Sequence, residues 1–190
     1  MGIITRIGIA SAAATLITGL AVGSASASQT GHVTNTTAIS NSQEVHGLLA
    51  HNAGAIQVSA DTVRLPDGST ITAFTSADGV TPASASGRCP GGHLCLFANS
   101  SWGGDQWTSS ATSCGAVNLF NYFMGNGNSW ADQASSIDNP APRPGGNASF
   151  YHNNTFMLSL QAGHYLKNLV NDSSATGGNA NDKIESLFPC

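Results

Sequence analysis

One short passage governs how the C-terminal half of this chain folds: Phe97-Ala98-Asn99-Ser100-Ser101-Trp102-Gly103-Gly104. A related passage follows it later, Tyr151-His152-Asn153-Asn154-Thr155-Phe156-Met157-Leu158. The aromatic residues at the first and sixth positions of the two passages align at one constant offset. This alignment indicates that each passage begins a copy of the same structural unit.

A second set of matching positions follows the two passages at a slightly smaller offset. The pairs are Asn118 with Asn168, Leu119 with Leu169, Asp132 with Asp182, and Ser136 with Ser186. Two constant offsets separated by one small deletion indicate that a supersecondary unit has been duplicated.

The composition favours a fold built from strands. Only 8% of the 190 residues are charged, 41% are hydrophobic and 22 are glycine. Because Ser, Thr and Asn are abundant and long helix-forming runs are lacking, we predict an all-β domain. The net charge is −4 and the six Lys and Arg residues are spread singly, so we expect no nucleic-acid partner.

The N-terminus has the pattern of a secretion signal. Arg6 precedes an apolar run over 7–22, and Ala25-Ser26-Ala27 fits a cleavage site of small residues. A membrane anchor is the alternative, but the apolar run is short and the cleavage site follows directly. We therefore predict a signal peptide over 1–27 and a secreted, extracellular protein with no membrane partner.

Two segments after the signal have compositions that are unfavourable for a packed core. Residues 28–54 are polar and poor in aromatics, which predicts disorder or a processed pro-segment. Residues 75–88 are rich in Ser, Ala, Gly and Pro and are predicted to form a linker.

The other two segments are predicted to fold. Residues 55–74 alternate in strand fashion around Pro66-Asp67-Gly68, a good turn sequence, which predicts one β-hairpin. Residues 89–190 form the main module, which is long enough for one core.

Four cysteines allow three disulfide pairings. Cys89 and Cys95 flank a segment that can fold back tightly enough to join them, and Cys114 would then pair with Cys190. Zinc ligation is the alternative, but no matching Cys/His pair stands at ligand spacing. Export places these cysteines in an oxidising compartment, which favours disulfides.

Each copy of the repeat is predicted to contain four short strands. In the first copy they are Leu94–Ala98, Asp105–Thr108, Ala116–Leu119 and Ala134–Asp138. In the second they are Ser149–His152, Met157–Leu160, Tyr165–Leu169 and Lys183–Phe188. The proline-rich segment 139–146 cannot lie inside a sheet and is expected to separate the two copies.

The first passage resembles the βγ-crystallin family, whose Greek-key signature is an aromatic, four residues, a second aromatic, one residue and a glycine. Phe97, Trp102 and Gly104 match this signature, and Ser136 matches a serine found later in the unit. The resemblance implies a βγ-crystallin-like sandwich of two Greek-key units. In these units glycine accepts a backbone conformation that a Cβ would strain, and the serine bonds to the folded hairpin.

The second copy keeps part of this signature. Tyr151, Phe156 and Ser186 match, but Leu158 stands where glycine is expected. We therefore expect the second hairpin to be opened or shifted.

A further resemblance concerns the start of the module. The sequence Cys89-Pro90-Gly91-Gly92-His93-Leu94-Cys95-Leu96-Phe97 is similar to secreted actinomycete metalloproteinase inhibitors of crystallin fold. This implies inhibition of an extracellular metallopeptidase by a rigid exposed loop. Candidate loops are 139–146, which could equally be a linker, and Leu119–Met124, whose phenylalanines could equally be core residues. No cysteine between Cys114 and Cys190 is present to brace such a loop.

The crystallin resemblance also implies calcium binding through a six-residue sequence pattern. The pattern consists of two Asn/Asp residues, two free positions, a Ser/Thr and a Ser. Each copy of that pattern departs from it at one position, and oxygen ligands of this kind suit a hard cation. The expected ligands are Asp132 and Ser135 in the first copy and Asn181, Asp182 and Glu185 in the second. Alternatively, the aspartates cap turns while Ser136 and Ser186 hold the fold.

No enzyme motif is apparent in the sequence. It contains no His-Glu-x-x-His, no Gly-x-Ser-x-Gly and no phosphate-cradling loop, so we predict no catalytic residues and no required cofactor. Three functions stay open: a peptidase inhibitor, a calcium-binding structural module of crystallin type, and a secreted antimicrobial toxin-like protein. The sequence leaves the oligomeric state undetermined.

Overall fold

The computed structural model describes five stretches of the chain. These are residues 43–74, 89–110, 114–141, 146–171 and 178–190. The predicted signal peptide (1–27) and linker (75–88) lie outside the described residues, so both stay predictions. Among the described residues no helix is long and apolar enough to cross a membrane.

Eleven antiparallel strands form two sheets in the described part of the chain. They are β1 (Ile56–Gln57), β2 (Thr62–Arg64), β3 (Thr70–Thr72), β4 (Cys95–Asn99), β5 (Gly103–Thr108), β6 (Val117–Asn118), β7 (Ser136–Asn139), β8 (Ala148–His152), β9 (Thr155–Leu160), β10 (His164–Leu166) and β11 (Ser186–Phe188). The first sheet has the order β1-β2-β3-β5-β4-β7-β10, and the second has β6-β11-β8-β9.

The two copies of the repeat exchange their third strands. The first copy supplies β4, β5 and β7 to the first sheet, but its third strand, β6, pairs with β11 in the second sheet. The second copy supplies β8, β9 and β11, and its third strand, β10, pairs with β7. The predicted fold class is therefore confirmed: an all-β, βγ-crystallin-like sandwich of two Greek-key units with disulfides.

One hydrophobic core joins the two sheets. Trp107 and Ile137 from the first sheet and Phe150, Met157 and Leu187 from the second all belong to it, and each is at most 1% exposed. Burying an aromatic side chain of this size contributes on the order of 2–3 kcal/mol. Burial of these side chains therefore stabilises the packing of the two sheets.

The first hairpin is folded back and held by a serine. Ser136 Oγ donates to Asn99 O at 2.7 Å and accepts from Trp102 N at 3.1 Å. Gly104 has φ +69°, and a Cβ there would lie 2.8 Å from Asn99 Nδ2. This position therefore requires glycine.

The second hairpin is closed by a tight turn. β8 and β9 are joined by two residues, Asn153 and Asn154, with φ of 49° and 58°. Two positive φ values in a two-residue loop are typical of a type I′ turn, which asparagine tolerates. The second hairpin is therefore not opened, whereas the expected shift is present as a register shift between Phe150 and Tyr151, and Leu158 lies within β9.

Helix α1 covers residues 43–51, within the segment for which disorder was one prediction. Val45 and Leu48 are buried in the common core. Asn52 bonds to the backbone of Phe123 through both its side-chain amide nitrogen (2.8 Å) and its carbonyl oxygen (2.9 Å). Disorder is thus wrong for 43–54, because apolar residues at helical spacing give the segment a face to bury. Processing of 28–54 stays a prediction.

The predicted hairpin over 55–74 is part of the first sheet. β2 and β3 flank the turn at Pro66-Asp67-Gly68, and Gly68 has φ +85°. β1 adds a short third strand, and β3 pairs with β5. The hairpin and the main module lie in the same compact unit of the chain, 35–190.

The two disulfides have the predicted pairing. Cys89 bonds to Cys95, and Cys114 bonds to Cys190 across a sequence separation of 76. In the chain-entropy view, closing a loop of that length stabilises the fold by about 4–5 kcal/mol.

Candidate cation-binding site

The loops that precede the last strand of each unit cross one another. Asp132 N donates to Ile184 O at 3.0 Å, and Asp182 N donates to Ala134 O at 3.1 Å. These two bonds are equivalent under the offset that relates the two units in the sequence. The crossing brings the predicted ligand segments together.

Further paired bonds fix the same loops. Ser135 N donates to Phe97 O at 2.9 Å, as Glu185 N donates to Tyr151 O at 3.0 Å. The first unit's Asp132 thereby faces the second unit's Glu185, and Asp182 faces Ser135.

The Asp132 corner consists of Asp132, His152 and Glu185. His152 Nδ1 lies 3.7 Å from Asp132 Oδ1 and 3.5 Å from Glu185 Oε1. Ligand atoms of the three residues all lie within 4.8 Å of one another. Asp132 Oδ1 and His152 Nδ1 are closed to solvent and have no hydrogen-bond partner in the described part of the chain.

The carboxylates of Asp132 and Glu185 repel each other in this corner. Burial raises the pKa of the Asp132 carboxyl, and the nearby charges of Glu185 and Asp182 raise it further, while His152 acts in the opposite direction. Asp132 also has φ +59°, which aspartate tolerates better than most residues. A positive charge bound here would relieve the repulsion between the two carboxylates.

Neighbouring backbone positions orient the ligands. Asn153 N donates to Glu185 Oε2 at 2.6 Å, which directs the other carboxylate oxygen towards His152. His152 is the last residue of β8, directly before the tight turn. The corner is therefore held by a hairpin and by two crossed loops.

The Asp182 corner is the equivalent place on the other side of the crossing, and it consists of Asp182 and Ser135. Ser135 Oγ donates to Asp182 Oδ1 at 3.3 Å, and Asn181 Nδ2 donates to Asp182 Oδ2. Ala98 stands at the sequence position equivalent to His152. Both carboxylate oxygens are thus already bonded, and no imidazole is supplied from that position.

The five predicted metal ligands are divided between the corners. Asp132 and Glu185 lie together, whereas Ser135, Asn181 and Asp182 form the other group. His152 was not predicted, because it lies outside the six-residue pattern and reaches the site only through the fold. Its position directly after Tyr151, the aromatic that opens the second passage, was the available signal.

The predicted inhibitory loops are described only in part. Residues 142–145 of the first loop lie outside the described residues. In the second loop Leu119 and Met124 are buried, but Phe120 is 50% exposed, so the core interpretation is wrong for Phe120. Asn118 Oδ1 accepts from Phe120 N at 3.0 Å and braces the turn Leu119–Asn121.

Comparison with solved structures found one similar chain. A solved structure described as "Evolution of the eye lens beta-gamma-crystallin domain fold" is 18% identical, with a TM-score of 0.38, over 62% of this chain and 94% of the other. No family model and no curated protein matches the chain. The assignment of the fold therefore rests on the strand order and the exchanged third strands.

Proposed function

We propose that this protein is an extracellular, non-enzymatic binding module of crystallin type that binds a divalent cation between its two repeat units. The observation that supports this most is the Asp132 corner, where an aspartate of the first unit meets a histidine and a glutamate of the second. Calcium is the cation implied by the crystallin resemblance.

Cation binding at this place would stabilise the whole sandwich. A cation held by Asp132, His152 and Glu185 connects both units and offsets the repulsion between the carboxylates of Asp132 and Glu185. A ligand that binds only the folded state adds about 2.7 kcal/mol of stability at a concentration 100 times its dissociation constant.

An extracellular location is part of the proposal. The two disulfides are suited to an oxidising compartment, and disulfides are rare in reducing ones. Intact-mass and N-terminal sequencing of the protein recovered from culture medium would test it. Retention of the intact chain inside the cell would contradict it.

Thermal unfolding tests the cation proposal. We expect the melting temperature of the chelator-treated protein to rise when calcium or another divalent cation is added. The variant Asp132→Asn with Glu185→Gln should lose the increase, because it removes both carboxylates. Asp182→Asn, at the other corner, is the matched control and should keep it. A melting temperature that no divalent cation changes would rule the proposal out.

Peptidase inhibition is a second candidate, favoured by the exposed Phe120 on a turn that Asn118 braces. A rigid exposed side chain is the feature that a substrate-like inhibitor needs. Titration against a thermolysin-type peptidase should show loss of peptidase activity, and Phe120→Ala should abolish it. Ile56→Ala, equally exposed at 50%, is the control. Undiminished peptidase activity at micromolar protein would exclude this function.

The toxin-like alternative has no supporting feature among the described residues. A growth assay with purified protein is its direct test.

A further inference from the structure

We propose that the Asp132 corner selects a transition-type dication such as zinc over calcium, and that the two corners of the duplication have diverged so that only this one binds. This inference rests on the proposed function, because it names the class of cation that the same site takes.

The set of donor atoms favours zinc. Asp132, His152 and Glu185 offer one imidazole nitrogen and two carboxylates, a set of three protein ligands that leaves a fourth position for water. Imidazole suits zinc, copper and nickel, whereas calcium takes six to eight oxygen ligands. His152 Nδ1 lies near both carboxylates, so a cation bound by both would also meet this nitrogen.

The distances agree with a small cation. Ligand atoms about 2.0–2.1 Å from a tetrahedral zinc ion are separated by about 3.3–3.4 Å. The distances from His152 Nδ1 to the oxygens of Glu185 and Asp132 are 3.5 and 3.7 Å. The ligand oxygens of Asp132 and Glu185 lie within 4.8 Å of each other, so zinc binding requires these two carboxylates to move closer together.

The other ring nitrogen of the histidine has a suitable partner. Asn153 Nδ2 lies 2.9 Å from His152 Nε2, and the amide can turn so that its oxygen accepts a hydrogen bond from Nε2–H. A metal-bound histidine ordinarily donates its second N–H in this way. Binding at Nδ1 would therefore place the proton on Nε2 and reverse the Asn153 amide.

The Asp182 corner lacks these features. Its carboxylate oxygens are bonded to Ser135 and Asn181, and Ala98 replaces the histidine. Serine hydroxyl and amide oxygens are weaker zinc ligands than imidazole and carboxylate. We therefore expect one zinc ion per chain.

Calorimetric titration of the chelator-treated, disulfide-bonded protein with zinc and, separately, with calcium measures this selectivity. We expect one zinc per chain, bound at least about tenfold more tightly than calcium. His152→Ala, which installs the residue present at the equivalent position, should lower zinc affinity at least tenfold. Asp182→Asn is the matched control; it should leave the zinc stoichiometry at one per chain and should lower the affinity far less than His152→Ala does.

Spectroscopy of the unaltered protein gives a second measurement that needs no variant. Cobalt bound in zinc's place should give the intense visible absorption of a tetrahedral site, and zinc should displace it. In nitrogen-15 spectra the His152 Nδ1 resonance should shift on zinc addition.

The outcomes separate the two proposals. If calcium raises the melting temperature but zinc binds no more tightly, the selectivity inference fails and the proposed function stands. Two zinc ions per chain, one of them lost in Asp182→Asn, would overturn the divergence of the corners. If no divalent cation binds at all, both proposals fail.

Discussion

At the scale of single residues, Ser136 and Ser186 occupy equivalent sequence positions but have different surroundings. The Ser136 hydroxyl joins Asn99 and Trp102 in the folded-back first hairpin. The Ser186 hydroxyl has no side-chain hydrogen bond in the described part of the chain, and its hairpin ends in the tight turn at Asn153. The same residue type therefore has a different energetic role in the two units.

Substitution of these serines tests that difference. Ser136→Ala should lower the free energy of unfolding by about 1–3 kcal/mol, because it removes the hydrogen bonds of the fully buried Ser136 hydroxyl to Asn99 O and from Trp102 N. Ser186→Ala, the matched control, should change it by about 0.5 kcal/mol or less. Urea denaturation measures both values. Equal losses in the two variants would contradict this account.

At the scale of elements, local patterns predicted the strands and the turn at Pro66-Asp67-Gly68 well. Strands depend on β-branched and aromatic residues between turn residues, and those signals are present in the sequence. Helix α1 was not predicted, because its apolar residues span only a short stretch and lie within a polar segment. Local sequence patterns also could not predict the exchange of β6 and β10, because each strand pairs with a strand that is distant in the sequence.

Substitutions in helix α1 test whether residues 43–54 are part of the mature protein. Leu48→Ala should lower the free energy of unfolding by about 2–5 kcal/mol, because it leaves a cavity at a fully buried position. His46→Ala, on the exposed side of the same helix, is the control and should have little effect. If the secreted protein begins after residue 54, or if both variants behave alike, the helix is not a structural part of the mature fold.

At the scale of the whole molecule, Asp105 connects stability to pH. Burial raises its pKa to about 6, and the charge of Glu44 on α1 adds to this, while a hydrogen bond from Phe74 N opposes it. The unfolded chain has the ordinary value of 3.8, so the folded state holds the extra proton between these two pH values. Stability from this group is therefore full below about pH 4 and is lost as the pH rises towards 6.

The pH dependence of unfolding measures this effect. We expect the free energy of unfolding to fall by about 2 kcal/mol between pH 4 and 6 through Asp105 alone. Asp105→Asn should remove that part of the slope, since its amide does not titrate. An identical profile for the variant and the original protein would show that Asp105 ionises normally.

The exchanged third strands have a consequence for the origin of the molecule. In a single copy of the unit, one edge of the sheet would lack its neighbouring strand, and the third strand would have no partner on its own chain. Two identical polypeptides could have met this need by reciprocal donation, as a homodimer. Joined in one chain, the two halves are free to differ in sequence, as His152 in one and Ala98 in the other do.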